Sequence, residues 1–191
     1  MGKQGSKFKR FTDILISLIV LIITSPVLLL AVLAIKIESP GPAFFLHERI
    51  GYKGRKFKLY KLRGMVHNAL EVGPELTQIN DPRITKIGKI LRRTSIDELP
   101  NFFNVLKGDM CLVGPRPDIP SIIKLYNNQQ RKVLGFKPGV TGISQINGRQ
   151  MLTPENRVKM EINYYSRANF WTDFWVVIKT ILVVFTNKGN I

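Results

Sequence analysis

The chain has 191 residues, 45% of them apolar, with 29 Lys and Arg against 13 Asp and Glu for a net charge of +16. That length and apolar content suit one domain with a real core and exclude a disordered chain. The charge predicts an anionic partner, whether nucleic acid, phospholipid head groups or a phosphorylated substrate, while a single cysteine, Cys111, excludes an internal disulfide and two histidines argue against a Cys/His zinc site.

The first element is the uncharged run Ile14–Ile35. As a helix at ~1.5 Å per residue it covers roughly 33 Å, the thickness of a bilayer's hydrocarbon layer. Its length, and the lack of a small-residue cleavage site after it, fit a signal peptide poorly. Two features set a re-entrant hairpin beside a spanning helix. Basic residues flank both ends: Lys3, Lys7, Lys9 and Arg10 before it, Lys36 and a series from Arg49 to Arg63 after it. A spanning helix places one of these flanks outside, against the positive-inside tendency. Thr24-Ser25-Pro26 also lies at its middle, where proline breaks or kinks a helix and a hydroxyl can satisfy the freed carbonyl. Arg10 and Asp13 share a helix face and can pair at the interface.

Ser39-Pro40-Gly41-Pro42 is a strong turn. Lys56 to Leu59 alternates as a strand does, and Tyr60 to Arg63 continues it out of phase, as through a bulge. Residues 68–82 read as a polar loop. Ile84, Ile87 and Leu91 predict a short helix with a basic outer face, and Phe102–Leu106 another that stops at Lys107-Gly108. A helix is expected over residues 121–134 and a loop over 135–149. The apolar stripe from Phe170 to Phe185 carries two tryptophans, suiting either a helix in the membrane interface or a core helix. The expected fold is α/β and helix-dominated. Residues 1–38 form a basic N-terminus and re-entrant membrane segment, and 39–191 a cytoplasmic domain ending in an amphipathic helix.

Arg92-Arg93-Thr94-Ser95-Ile96-Asp97-Glu98-Leu99-Pro100 is the densest polar cluster. Ser95 and Glu98 fit a capping box, or Pro100 opens a later helix. Both place Asp97 and Glu98 near a helix N-terminus, and the arginines upstream are expected to depress the Asp97 pKa. A carboxylate so placed can attack phosphorus while guanidiniums hold the phosphate oxygens; the structural alternative is a cap with a salt bridge. In Gly114-Pro115-Arg116-Pro117-Asp118, the prolines preorganise one arginine for phosphate or make a rigid exposed turn. Pro138-Gly139-Val140-Thr141-Gly142 and Gln145-Ile146-Asn147-Gly148-Arg149 can cradle a diphosphate through backbone N–H groups.

Together these stretches, with Glu48-Arg49-Ile50-Gly51 and Asn104 to Met110, make the chain resemble the monotopic phosphoglycosyl transferases, the bacterial sugar transferase family, over residues 9–186. The resemblance implies that Asp97 attacks the β-phosphate of a UDP-sugar, UMP leaves, and polyprenol (undecaprenyl) phosphate takes the phosphosugar from the aspartate. It implies Mg²⁺ as cofactor, with Asp97 as a metal ligand and Glu98 as partner in the dyad. Arg92, Arg116 and Arg149 become phosphate-binding residues, with Pro115, Pro117, Gly139, Thr141 and Gln145 near the nucleotide sugar. Arg10, Asp13, Ser25 and Pro26 become marks of the membrane hairpin. Implied partners are the UDP-sugar, the polyprenol phosphate and membrane lipids, with no nucleic acid. The implied location is the cytoplasmic face of the bacterial inner membrane, and the chain resembles a minimal catalytic unit.

Departures from the family pattern are His47 for Gln, Ile143 for an aromatic, Glu161 for Asp and Cys111 for Ser. None touches the dyad, and they bear on the sugar selected. Two competing readings stand beside this one. A basic membrane-tethered module binding anionic lipid or nucleic acid would not need Asp97. An enzyme that moves only the sugar would release UDP.

Overall fold

The computed structural model describes residues 6–78, 80–148 and 152–186. Helix α1 (Lys7–Glu38) is long and apolar enough to cross a membrane and runs unbroken through Pro26. Proline has no N–H to offer the Ile22 carbonyl, and Ser25 Oγ donates to that oxygen at 2.8 Å instead. Thr24 Oγ1 donates to the Val20 carbonyl at 2.7 Å. The hydroxyls thus carry the proline inside one helix, where a break between two helices was expected.

One face of α1 is buried at Asp13, Ser17, Leu21, Ala31 and Ile35, while the opposite face exposes large side chains such as Ile22, Ile23, Leu29 and Leu30. Both ends of the buried stripe meet the same body of the protein. Near the start, Arg10 donates to the carbonyls of Val105 (2.5 Å) and Leu106 (2.9 Å), and Asp13 accepts from the Leu112 N–H at 3.4 Å. The expected Arg10–Asp13 pairing gives way to these distant backbone partners, which offer directed bonds out of reach of water. Near the end, Ala31 and Ile35 pack with Ala43, Leu62 and Leu91, and Glu38 accepts from the Ile87 N–H at 3.1 Å. Arg63 is buried and donates to the carbonyls of Ser39 (2.9 Å) and Pro40, pinning the exit turn. Gly41, at φ 102°, takes a left-handed conformation there and leaves no room for a Cβ beside Arg63.

Strands β1 (Phe44–Ile50) and β2 (Lys56–Leu62) form an antiparallel hairpin in unbroken register, from Phe44 opposite Leu62 to Ile50 opposite Lys56. The expected bulge is absent. Phe57, Leu59 and Lys61 share one face, so the apparent change of phase is a lysine turned inward. Residues 68–78 and 80–82 form turns and loop, tied down by Arg83, which donates to the carbonyls of Ala69 and Pro74 at 2.7 Å and to Asp81 Oδ1 at 2.8 Å.

Helix α2 (Lys86–Arg93) starts later than Ile84 and is capped by Thr85, whose Oγ1 accepts from the Gly88 N–H at 2.9 Å. Gly88 lies against Gly64, where a Cβ would come within 2.0 Å of the Gly64 oxygen. Helix α3 (Asn101–Lys107) ends at Gly108, at φ 92°, as the Lys-Gly signal predicts. Strand β3 (Cys111–Val113) runs parallel to β4 (Gly139–Thr141), so residues 135–149 are more than a loop. Helix α4 (Pro120–Lys124) is short, and a 3₁₀ turn at Gln130–Gly135 replaces the rest of the helix expected over 121–134. Asn127 interrupts it: its Oδ1 accepts from the Gln130 N–H at 2.9 Å while its own N–H donates to Gln130 Oε1 at 2.8 Å. Helices α5 (Ile143–Ile146), α6 (Pro154–Tyr165) and α7 (Phe170–Thr186) complete the chain. In α7, Val176 is buried while Trp171, Phe174, Trp175 and Ile178 are exposed. Its aromatic stripe therefore faces outward, and Asp173 turns inward to pair with Lys9 of α1. Among the described residues the fold is helix-rich with two small sheets, as the helix-dominated α/β reading expected, and its long apolar helix is one piece.

Asn104 locks α3 to the hairpin. It is fully buried; its Nδ2 donates to the Lys58 carbonyl at 2.8 Å and its Oδ1 accepts from the Tyr60 N–H at 3.0 Å. Asn104→Leu strands both β2 backbone groups and is expected to destabilise the protein by about 2–4 kcal/mol, read by denaturant unfolding.

Candidate active site at the junction of the hairpin, the acidic turn and the Pro-Arg-Pro segment

Helix α2 ends at Arg93; two residues on, Ser95 adopts a left-handed conformation at φ 58°, and the chain then enters a 3₁₀ turn over Ile96–Glu98. A non-glycine residue held there costs backbone energy that the surrounding structure must offset. Ser95 makes no capping bond, so the capping box does not form; Pro100 is the N-cap of α3, close to the alternative reading. The turn holds the two carboxylates side by side, with Glu98 lining a cleft.

Asp97 is buried, with 8% of its surface exposed. Lys61, the inward lysine of β2, places Nζ 2.8 Å from Glu98 Oε1 and 3.9 Å from Asp97 Oδ2. Arg116 Nη2 lies 3.2 Å from Glu98 Oε1. Glu98 thus takes the close cations and Asp97 takes the burial. Loss of water, reinforced by the neighbouring Glu98 charge and only partly opposed by Lys61, raises the Asp97 pKa to about 6. The sequence led us to expect the opposite. Arg92 and Arg116 do favour the Asp97 anion, but their pull is smaller than the cost of burial. Glu98 is also desolvated, yet Lys61 and Arg116 hold it well below the usual carboxylate range.

Pro115 and Pro117 are buried on either side of exposed Arg116, so the prolines anchor and the arginine reaches out. The Arg116 N–H donates to Glu161 Oε1 at 3.1 Å, and the same oxygen accepts from Ser144 Oγ at 2.6 Å. Asp118 is fixed by Arg157 Nη2 and the Tyr126 hydroxyl, each at 2.5 Å. The cleft is lined by Arg49, Lys61, Glu98, Met110, Arg116 and Val140 among others.

The structure brings Asp97, Glu98 and Arg116 together, with Arg92 near enough to bias Asp97. Arg92 Nη1 also donates to Thr77 Oγ1 at 3.2 Å, joining α2 to the 68–82 loop. Gly139 lines the cleft and packs on Gly114, where a Cβ would lie 2.0 Å from the Gly114 nitrogen. Thr141 is directed elsewhere: its hydroxyl meets that of Thr180 on α7 at 2.6 Å. Gln145 is buried behind Arg116, bonded to Ser144 at 2.9 Å. Arg149 lies outside the described residues. Arg10, Asp13, Ser25 and Pro26 belong to α1 and have the structural partners given above. Sequence reasoning missed Lys61, Arg49 and Glu161 as parts of the site. Strand periodicity alone points Lys61 inward; no local signal singles out Glu161.

Among the described residues no group of three or more His, Cys, Asp and Glu could cage a metal. The adjacent Asp97 and Glu98 carboxylates fit Mg²⁺, which keeps several waters and is held by one or two carboxylates plus substrate phosphates.

Residues 4–187 match the family model described as bacterial sugar transferase. The chain is 39% identical over 189 residues to the UDP-N-acetylgalactosamine-undecaprenyl-phosphate N-acetylgalactosaminephosphotransferase of Aeromonas hydrophila, covering 95% of this chain and 44% of that protein. It is 42% identical over 194 residues to the UDP-glucose:undecaprenyl-phosphate glucose-1-phosphate transferase of Escherichia coli, covering 95% and 41%. It is 34% identical over 201 residues to the exopolysaccharide production protein ExoY of Rhizobium meliloti, covering 97% and 89%. The chain thus spans less than half the length of the first two relatives and most of the third. With that match from end to end and the acidic pair set among cations in the cleft, the chain belongs to the bacterial sugar transferase family.

Proposed function

We propose that this protein transfers a sugar-1-phosphate from a UDP-sugar to undecaprenyl phosphate, releasing UMP and giving undecaprenyl-diphospho-sugar. The observation that carries this reading is a buried carboxylate, Asp97, next to an ion-paired one, Glu98, which lines a cleft with Lys61, Arg116 and Arg49. An anionic nucleophile and an anionic substrate repel each other, and this ring of cations offsets the repulsion. An Asp97 oxygen attacks the β-phosphorus; the bond to the bridging oxygen breaks and its electron pair leaves with UMP. An oxygen of the lipid phosphate then attacks the aspartyl-phosphosugar, and Asp97 departs as carboxylate. Arg116 and Arg92 hold phosphate oxygens. Asp97 and Glu98 would hold Mg²⁺, which when bound neutralises diphosphate charge.

We place the protein on the cytoplasmic face of the bacterial inner membrane, with both ends of α1 on that side. Three features support this. Both flanks of α1 are basic, both ends bond to one body, and the exposed apolar faces of α1 and α7 are joined by the Phe8–Phe170 contact. Because both ends of α1 bond to one body, a spanning α1 would carry the partners of Arg10 or those of Glu38 through the hydrocarbon with it. The net charge suits an anionic leaflet and two anionic substrates.

The test is nucleotide release by purified protein given Mg²⁺, undecaprenyl phosphate and a panel of UDP-sugars. UMP release that depends on the lipid phosphate is expected with at least one sugar. UDP release overturns the phosphosugar reaction in favour of transfer of the sugar alone.

A further inference from the structure

Arg49 stands on β1, one residue before the strand ends, and lines the cleft with Lys61, Glu98 and Arg116. It is largely desolvated, yet among the described residues no carboxylate lies within ion-pairing distance of it. Its Nη2 bonds a neutral acceptor, His47 Nδ1, at 3.1 Å, and its Nε is buried with no partner. A buried guanidinium left like this is costly unless an anion completes it. Lys61 and Glu98 do not serve that purpose, because they satisfy each other. Arg116 is the one other guanidinium of the cleft wall; it is bonded to Glu98 through Nη2, and 42% of its side chain is exposed.

We propose that Arg49 is an anion-binding residue of this cleft, taking a phosphate group between itself and Arg116. A phosphate accepts two parallel N–H bonds from a guanidinium, which suits a planar, fixed donor pair. Burial and the Arg116 charge lower the Arg49 pKa to about 10, a strain that an incoming anion relieves. Arg49 is also held in place in advance. For His47 Nδ1 to accept from Arg49, the ring proton must sit on Nε2, which donates to Glu75 Oε1 at 3.3 Å. Glu75 Oε2 in turn accepts from Ser121 Oγ at 2.8 Å. Glu75 lies in the loop that Arg83 ties down, so a relay from loop to strand orients the guanidinium at little entropy cost on binding.

The inference deepens the transferase reading and rests on it for the source of the phosphate, which is either the nucleotide diphosphate or the lipid phosphate. The experiment compares wild type, Arg49→Met and Arg49→Lys. It reads KM for the UDP-sugar, KM for undecaprenyl phosphate, and the rise in melting temperature that inorganic pyrophosphate gives. Arg49→Met is expected to raise one KM at least about 10-fold, with a smaller change in kcat, and to remove the pyrophosphate shift; Arg49→Lys recovers part of both. A raised donor KM assigns the nucleotide diphosphate, and a raised acceptor KM the lipid phosphate. If the Met variant unfolds, the Lys variant carries the same comparison. Both KM values and the pyrophosphate shift unchanged in a folded variant overturn the proposal. Should wild type release no UMP, the transferase reading falls and the pyrophosphate arm still decides Arg49.

Discussion

Asp97→Asn is expected to cut UMP release by at least about 10³-fold, because an amide cannot form the proposed covalent link to phosphorus. The same variant is expected to melt higher than wild type at alkaline pH. The folded protein holds Asp97 near pKa 6 against an ordinary value of 3.8, so above about pH 6 it bears a buried carboxylate that the unfolded chain would leave in water. The sign follows from proton binding. Between those two values the folded state takes up a proton that the unfolded state does not, so wild type gains stability on acidification through that window. The advantage of Asn is therefore full above the upper value and vanishes towards the lower one. Activity and melting curves measured across pH on both proteins check the two halves together. A variant that keeps its turnover would restore the binding-module reading; loss of both turnover and stability would mean that Asp97 is a structural residue.

Lys61→Met is the second large effect. Lys61 is the strongest single charge favouring the Asp97 anion, and it pairs directly with Glu98. Without it, Arg116 is left paired to Glu98, and only Arg92 and Arg116 oppose protonation of Asp97. The acid limb of the pH–rate profile, expected near pH 6 in wild type because Asp97 must be ionised to attack, moves to higher pH. Turnover at neutral pH is expected to fall about 10–100-fold, with partial recovery at alkaline pH. A structural lesion would lower the whole profile without moving the limb, so the position of the limb is the measurement that matters.

These two residues also mark how far the sequence can be read. Asp97, Glu98 and Arg116 are legible because each sits in a short rigid stretch, where an adjacent proline or turn restricts where the side chain can go. Lys61 is half legible. Strand alternation turns it inward, but its partner lies 37 residues away, and an inward lysine after Tyr60 imitates a bulge. The pKa of Asp97 was misjudged for a related reason. The charges of Arg92 and Arg116 are visible in the chain, but burial, the larger effect, arises only once the hairpin and α3 close over the turn. The capping box at Ser95 failed because a left-handed residue there cannot start a helix. The helix expected over 121–134 failed because Asn127 and Gln130 bond each other's backbone, a local choice that apolar periodicity does not register.

The partners of α1 set an order on how the chain can mature as it is made. The helix is synthesised first, but Arg10 waits for a carbonyl 95 residues later, Asp13 for an N–H 99 residues later, and Lys9 for a carboxylate 164 residues later. Until α3, β3 and α7 have left the ribosome, those three side chains have only one another and their surroundings to answer them. The apolar segment is therefore made well before its polar face can be closed, and α7 supplies the last of the matching groups. A nascent chain stalled before Asp173 would carry Lys9 without its native counter-charge, so the finished anchor depends on the end of the chain as much as on its own hydrophobicity.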